Sequence, residues 1–106
     1  MKSVGIIGLG RFGKILASIL QKGYSISAYD TRDIVSMANV NFCSLEKVLD
    51  EQVIFIAIPI RNFEELVKNI SPKLKSGTTL IDVCSVKSHP VNVMIKYVKK
   101  DIVILR

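Results

Sequence analysis

The chain has no tryptophan, one histidine (His89) and only 7% aromatic residues among its 106. It has two cysteines, Cys43 and Cys84. That number excludes a disulfide-stapled scaffold, and both lie in apolar surroundings that read as buried, reduced thiols. No C-x-x-C pair and no His/Cys cluster occurs, so no metal site is expected. Three prolines and six glycines are too few for a collagen-like or low-complexity chain. No apolar run approaches the ~20 residues of a membrane span. Residues 4–9 after Lys2 begin like a signal peptide, but Arg11 and Lys14 interrupt them. Neither membrane nor export is therefore expected, and the expected location is cytoplasmic. Acidic side chains number 9 against 15 basic ones, a net charge of +6. The positive residues are scattered and have no aromatics interleaved. The excess reads as solvated surface with a mild bias toward small anions, and no nucleic-acid partner is expected.

What is present is apolar bulk, 49% of the residues, in a length that suits one packed domain over 1–106. The most informative stretch is Gly8-Leu9-Gly10-Arg11-Phe12-Gly13, directly after the apolar run 4–7. A buried strand, G-x-G-x-x-G and a helical pattern together open a dinucleotide-binding βαβ unit. The first glycine permits the tight turn, the second lets backbone approach a pyrophosphate, and the third lets helix pack on sheet. The helix start offers unpaired N–H groups and partial positive charge to phosphates.

The rest of the chain alternates strand and helix. Strands are expected at 4–8, 25–29, 40–43, 53–58, 78–83 and 102–105. A helix at 12–22 carries Phe12, Ile15, Leu16, Ile19 and Leu20 at helical spacing, and Gly23 is placed for a left-handed cap. Residues 31–38 read as a weak helix or loop. Ser44 caps a short helix with Lys47 at its third position. Further helices are expected at 62–70, with Phe63, Leu66, Val67 and Ile70 inward, and at 88–100, with Val91, Met94, Ile95 and Val98 inward. Ser71-Pro72 begins a short helical turn, Gly77 a turn, and Pro59 ends the fourth strand. This order predicts an α/β fold: a doubly wound parallel sheet of the Rossmann kind, six strands ordered 3-2-1-4-5-6.

Asp30, at the end of the second strand and about 20 residues past the glycines, suits the ribose hydroxyls of NAD and would repel the 2′-phosphate of NADP. The plainer reading is that it begins a turn. Arg32 could pair with a 2′-phosphate or simply with Asp30 or Asp33. Arg11 lies along a pyrophosphate or on the surface. Ala57, Ile58 and Pro59 end the fourth strand, where a dry wall beside the nicotinamide is expected. The candidate cofactor-binding set is thus Gly8, Leu9, Gly10, Arg11, Phe12, Gly13, Asp30, Thr31, Arg32, Ala57, Ile58 and Pro59, with NAD favoured and NADP possible. In Asp82-Val83-Cys84-Ser85-Val86-Lys87, Ser85 either holds a substrate oxygen or caps the next helix. Lys87 steers anions or is plain surface. His89 before Pro90 reads as structural or exposed rather than as a catalytic base.

Together these residues resemble the N-terminal domain of the prephenate and arogenate dehydrogenases of tyrosine biosynthesis. The matching pieces are residues 4–13, Ile56-Ala57-Ile58-Pro59, Lys75-Ser76-Gly77-Thr78 and, most specifically, the run from Asp82 to Pro90, which looks most like the arogenate-related branch. The resemblance implies oxidative decarboxylation: hydride passes from the hydroxyl-bearing ring carbon to the nicotinamide, and loss of carbon dioxide makes the ring aromatic. It gives Ser85 a substrate contact. It also implies a proton-accepting histidine in a His-Pro motif just after the sixth strand, which would fall beyond Arg106; His89-Pro90 sits one helix too early. The family's helical substrate and dimerisation domain is not in these residues. The expectation is a fragment that binds NAD, turns over little prephenate alone and self-associates, a possible homodimer, through the surface that domain would cover. A rival reading is a nucleotide-sensing regulatory domain of potassium transport, which binds NAD or ATP without chemistry and needs no polar contact at Ser85. Another is an oxidoreductase of the β-hydroxyacid dehydrogenase or imine reductase type.

Overall fold

A computed structural model describes residues 2–32, 37, 39–83 and 88–105. In chain order the elements are β1 (Ser3–Ile7), α1 (Arg11–Leu20), β2 (Ser25–Tyr29), β3 (Val40–Phe42), α2 (Leu45–Val48), β4 (Val53–Ile56), α3 (Phe63–Ile70), β5 (Thr79–Asp82), α4 (Ser88–Tyr97) and β6 (Val103–Leu105). Single 3-10 turns at Ile60–Asn62 and Ser71–Lys73 precede and follow α3. The six strands form one sheet in the order β3-β2-β1-β4-β5-β6, every adjacent pair parallel. This is the architecture expected from the alternation of elements.

A parallel neighbour is reached only by a crossover, and crossovers run over a face of the sheet. The faces are set by alternation within β1. Val4 and Ile6 join Ala17 of α1 in one buried cluster, with Ile26 and Ala28 of β2. Ile7 points the other way, into a cluster with Val48 of α2, Phe63, Val67 and Ile70 of α3, and Met94 of α4. Both sides of β1 are dry, which is why its residues read as a continuous apolar run rather than an alternating one.

Several local expectations are met. Ser44 Oγ accepts the Lys47 amide at 3.3 Å, capping α2. Pro72 sits in the first turn of the second 3-10 segment. Gly77 has φ +86°, a turn that favours glycine. Others differ. Gly23 is not left-handed. α1 ends with the Gln21 amide on the Ala17 carbonyl, and the left-handed residue nearby is Asn39, φ +59°, whose side-chain amide donates to the Gln21 carbonyl at 3.2 Å. Strands β3, β4 and β5 are each shorter than expected, because pairing stops where the chain turns toward the next crossover, and β6 begins one residue later than expected.

The inward face of α1 also differs. Phe12, Ile15 and Ile19 are half or more exposed, Ile19 at 60%. Gly13 and Ala17 are buried instead, flanked by Leu16 and Leu20. Residues 13, 16, 17 and 20 form one stripe, and its two small members bring the helix axis close to the sheet. The large apolar residues lie on the adjacent stripe. In α4, Met94 is buried as expected but Ile95 is 66% exposed and Val93 takes its place inside; the side chain of Val91 lies outside the description. On the α1 side of the sheet, Phe55 packs against the core, and its register neighbours lead to Leu105 on β6, half exposed like Val103. Among the described residues no helix covers that outer half of the sheet.

The burial pattern makes a contrast that urea unfolding would read. Phe63→Ala, which removes a fully buried ring, is expected to cost about 3–5 kcal/mol. Ile19→Ala, on the exposed stripe, is expected to cost less than about 1 kcal/mol.

Candidate functional site

Where neighbouring crossovers leave a parallel sheet in opposite directions, their loops part and a crevice opens at the carboxyl ends of the strands. Here that point lies between β1 and β4. The two strands remain tied to their last residues, with the Ala57 amide on the Ile7 carbonyl at 2.8 Å. Beyond them lies a cleft of about 880 Å³, within the range of small-molecule and cofactor sites.

Its base is the turn out of β1. Gly8 has φ +101°, and a Cβ there would lie 2.6 Å from the Ala57 carbonyl oxygen. The Gly8 amide donates to the Tyr29 carbonyl at 2.8 Å, which ties the turn to β2. A Cβ on Gly13 would collide with the Gly8 carbonyl oxygen, so only glycine lets the first turn of α1 sit on this loop. Gly10 is different. Its φ of −71° and ψ of −163° suit any residue, and the nearest atom to an added Cβ is Nη2 of Arg32, 3.7 Å away. Among the described residues nothing requires glycine at this position. It is also the N-cap of α1, which has no side-chain cap and no acidic residue in its first turn. Its first amides therefore have no capping side chain and are open to water or to an anion.

Asp30 follows β2 and forms one wall. Its Oδ2 accepts the Leu9 amide at 2.6 Å, and its Oδ1 accepts the Arg32 amide at 2.9 Å. The Arg32 guanidinium adds Nε to Oδ1 at 3.0 Å and Nη2 to Oδ2 at 3.1 Å, a bidentate fork. The Asp30 side chain is 8% exposed and that of Arg32 61%. The Arg32 hydrogen bonds hold the Asp30 carboxyl down at about 2, against the opposing effect of burial and with help from the Leu9 amide. In return, Asp30 raises the Arg32 pKa.

Of the candidates read from the sequence, Gly8, Gly10, Asp30, Thr31, Arg32, Ala57, Ile58 and Pro59 line the cleft together. Leu9, Arg11, Phe12 and Gly13 do not. Leu9 is buried and contributes only its amide, Gly13 is buried behind the loop, and Arg11 and Phe12 lie exposed at the start of α1. Ser85, Cys84, Lys87 and Asp33 lie outside the described residues, as does the side chain of His89. The reading of the sequence missed the far wall, where Asn62, Glu65, Leu66 and Asn69 line the cleft along α3. The signal was available: positions 62, 65, 66 and 69 have helical spacing and alternate with the buried 63, 67 and 70.

Cys43 is a free thiol, half-buried rather than fully buried, and partial burial is the main cause that pushes its pKa up. Among the described residues no group of three or more His, Cys, Asp and Glu side chains gathers, and no helix is long and apolar enough to cross a membrane.

Comparison with known proteins places these features. The family described as "Prephenate dehydrogenase, nucleotide-binding domain" matches residues 17–105. Arogenate dehydrogenase 1 of Arabidopsis thaliana is 30% identical over 110 residues, covering 96% of this chain and 17% of that protein. A probable arogenate/prephenate dehydrogenase of Methanocaldococcus jannaschii is 27% identical, covering 95% of this chain and 24% of that protein. The chain thus spans a quarter or less of the length of these two relatives. The structure of prephenate dehydrogenase from Aquifex aeolicus superposes with a TM-score of 0.80 at 28% identity, covering 98% of this chain and 42% of that one. A second structure of the A. aeolicus enzyme, in complex with hydroxyphenyl propionate and NAD+, gives 0.79 at 27% identity, covering 98% of this chain and 41% of that one.

The Asp30 pKa sets an acid dependence. A carboxyl held at about 2, below its ordinary 3.8, stabilises the fold fully above the ordinary value. That contribution is lost as the pH falls from about 4 toward 2. Unfolding followed across this range should lose part of its pH dependence in Asp30→Asn, and an unchanged profile would remove Asp30 from the account.

Proposed function

The chain belongs to the prephenate dehydrogenase nucleotide-binding-domain family, and from that premise we propose that it binds NAD as the cofactor portion of a dehydrogenase acting on prephenate or arogenate. The observation that carries the reading is Gly10: a glycine with no steric reason among the described residues, at the uncapped start of a helix, facing a cleft of cofactor size. Close approach of a pyrophosphate supplies the missing reason.

In this reading each wall has a task. The first amides of α1 and the bare Cα of Gly10 receive the pyrophosphate. Asp30, ionised and largely enclosed, accepts hydrogen bonds from the adenosine ribose hydroxyls, and its charge favours NAD over NADP. Leu66 and the polar side chains beside it on α3 flank the adenosine end. Ala57, Ile58 and Pro59 give an apolar wall that keeps water from the reacting ring. When bound, the nicotinamide supplies the hydride acceptor for oxidation of the substrate's ring alcohol. Ser85 is assigned the contact to a substrate oxygen. The names of the Arabidopsis and Methanocaldococcus relatives support the substrate class, and the NAD+ complex of the A. aeolicus enzyme supports the cofactor. A purely sensory role finds no support in the relatives.

Calorimetric titration with NAD and NADP tests the proposal, with tighter binding of NAD expected, tighter binding of NADP overturning the preference, and binding of neither by the parent chain and by Arg32→Ala alike overturning the cofactor reading. Gly10→Ala sharpens the test. Among the described residues there is room for the added methyl group, so the melting temperature should stay near that of the parent while NAD affinity falls about tenfold or more, about 1.4 kcal/mol. Equal losses of stability and affinity would instead make Gly10 a structural glycine like Gly13.

A further inference from the structure

A carboxylate offers about four acceptor directions, and those of Asp30 are already in use. Two are met by the amides of Leu9 and Arg32, which the fold holds in place. The other two are met by the Arg32 fork. Ribose hydroxyls can reach Asp30 only by displacing that fork. The same guanidinium also overhangs the glycine loop. Its Nη2 is the nearest atom to the open position above Gly10, at 3.7 Å, and both residues line the cleft. Arg32 thus spans the cleft from the ribose-binding carboxylate toward the pyrophosphate-binding turn. Its side chain is 61% exposed, so solvent is open to it when it lets go.

We propose that Arg32 is a latch across this cleft: NAD is bound only after the Asp30–Arg32 fork opens, whereas a 2′-phosphorylated dinucleotide draws the released guanidinium onto its own phosphate. The inference rests on the nucleotide-binding reading above. It makes Arg32 an opponent of one cofactor and a ligand of the other. For NAD, opening the fork is a cost with no return, since the ribose hydroxyls replace the guanidinium at Asp30. For NADP, Arg32 exchanges a carboxylate for a phosphate, and the fork geometry suits both. Asp30 keeps the Leu9 and Arg32 amides in either case, so its charge continues to oppose the 2′-phosphate. The latch therefore narrows the difference between the two cofactors that Asp30 alone would impose.

The test is titration of the parent chain, Arg32→Ala and Asp30→Asn with NAD and NADP, with melting temperatures to show that each is folded. Asp30→Asn keeps an oxygen for the Leu9 amide while weakening the fork. Arg32→Ala is expected to bind NAD up to about fivefold more tightly, the range that release of an exposed ion pair supplies, and NADP about tenfold more weakly. Asp30→Asn is expected to shift both affinities the opposite way. NAD binding that is unchanged or weakened in Arg32→Ala, in a parent chain that binds NAD, overturns the latch and leaves the cofactor reading standing. A parent chain that binds neither nucleotide, with Arg32→Ala binding NAD, supports the latch in its tightest form. Failure of every variant to bind either nucleotide overturns the cofactor reading and the latch with it.

Discussion

The contact between residue 13 and the carbonyl of Gly8 is the constraint on which the rest of the molecule depends. A single methyl group at position 13 would push α1 off the loop that leaves β1. With no Cβ there, the helix starts directly above the end of the strand, and its N-cap Gly10 lines the cleft. The small residue Ala17, one turn further on, lets the helix settle onto Val4, Ile6, Ile26 and Ala28. Gly8 closes the same junction from the other side, because its positive φ and its clearance from the Ala57 carbonyl bring β1 and the end of β4 together. The switch point of the sheet is therefore held mainly by close backbone approach.

Asp30 links this junction to β2. Its bond to the Leu9 amide satisfies a backbone donor within the glycine loop, so one carboxylate both stabilises the turn and faces the cleft. Glu51, just before β4, accepts from Ser3 at the start of β1 at 2.6 Å and from Ser27 in the middle of β2 at 2.8 Å, a second tie between these strands. These ties accompany the register that aligns Ile7 with Tyr29 and with Ile56. That register is what sets Asp30 beside the loop.

The two faces of the sheet are finished differently. Three helices cover one side and share a continuous core from Val48 to Met94. On the other side α1 covers only the β1–β2 half, and Phe12, Ile15 and Ile19 look outward along its flank. The burial follows from the connections: α1, between the first two strands, is the only described helix on its face, and the later described helices α2, α3 and α4 lie on the opposite one.

The sequence by itself determined the class of fold, the order of elements, the glycine turn and the acidic residue that faces it. Each of these is local: a run of apolar residues, a fixed spacing of glycines and a carboxylate at a strand end announce themselves within about 30 residues. Helix faces were less legible, because the apolar residues of α1 span two stripes, and only the sheet decides that the stripe of Gly13 and Ala17 is the one buried. The far wall of the cleft was hidden for a related reason, since the polar stripe on α3 looks like any solvated face until the end of β2 and the glycine loop face it across the cleft. The Asp30–Arg32 fork needed the tertiary structure most. Two opposite charges two residues apart are common in any chain. Whether they meet each other, the solvent or a ligand depends on the Leu9 amide, which arrives from a different loop and fixes the carboxylate where the guanidinium can close on it.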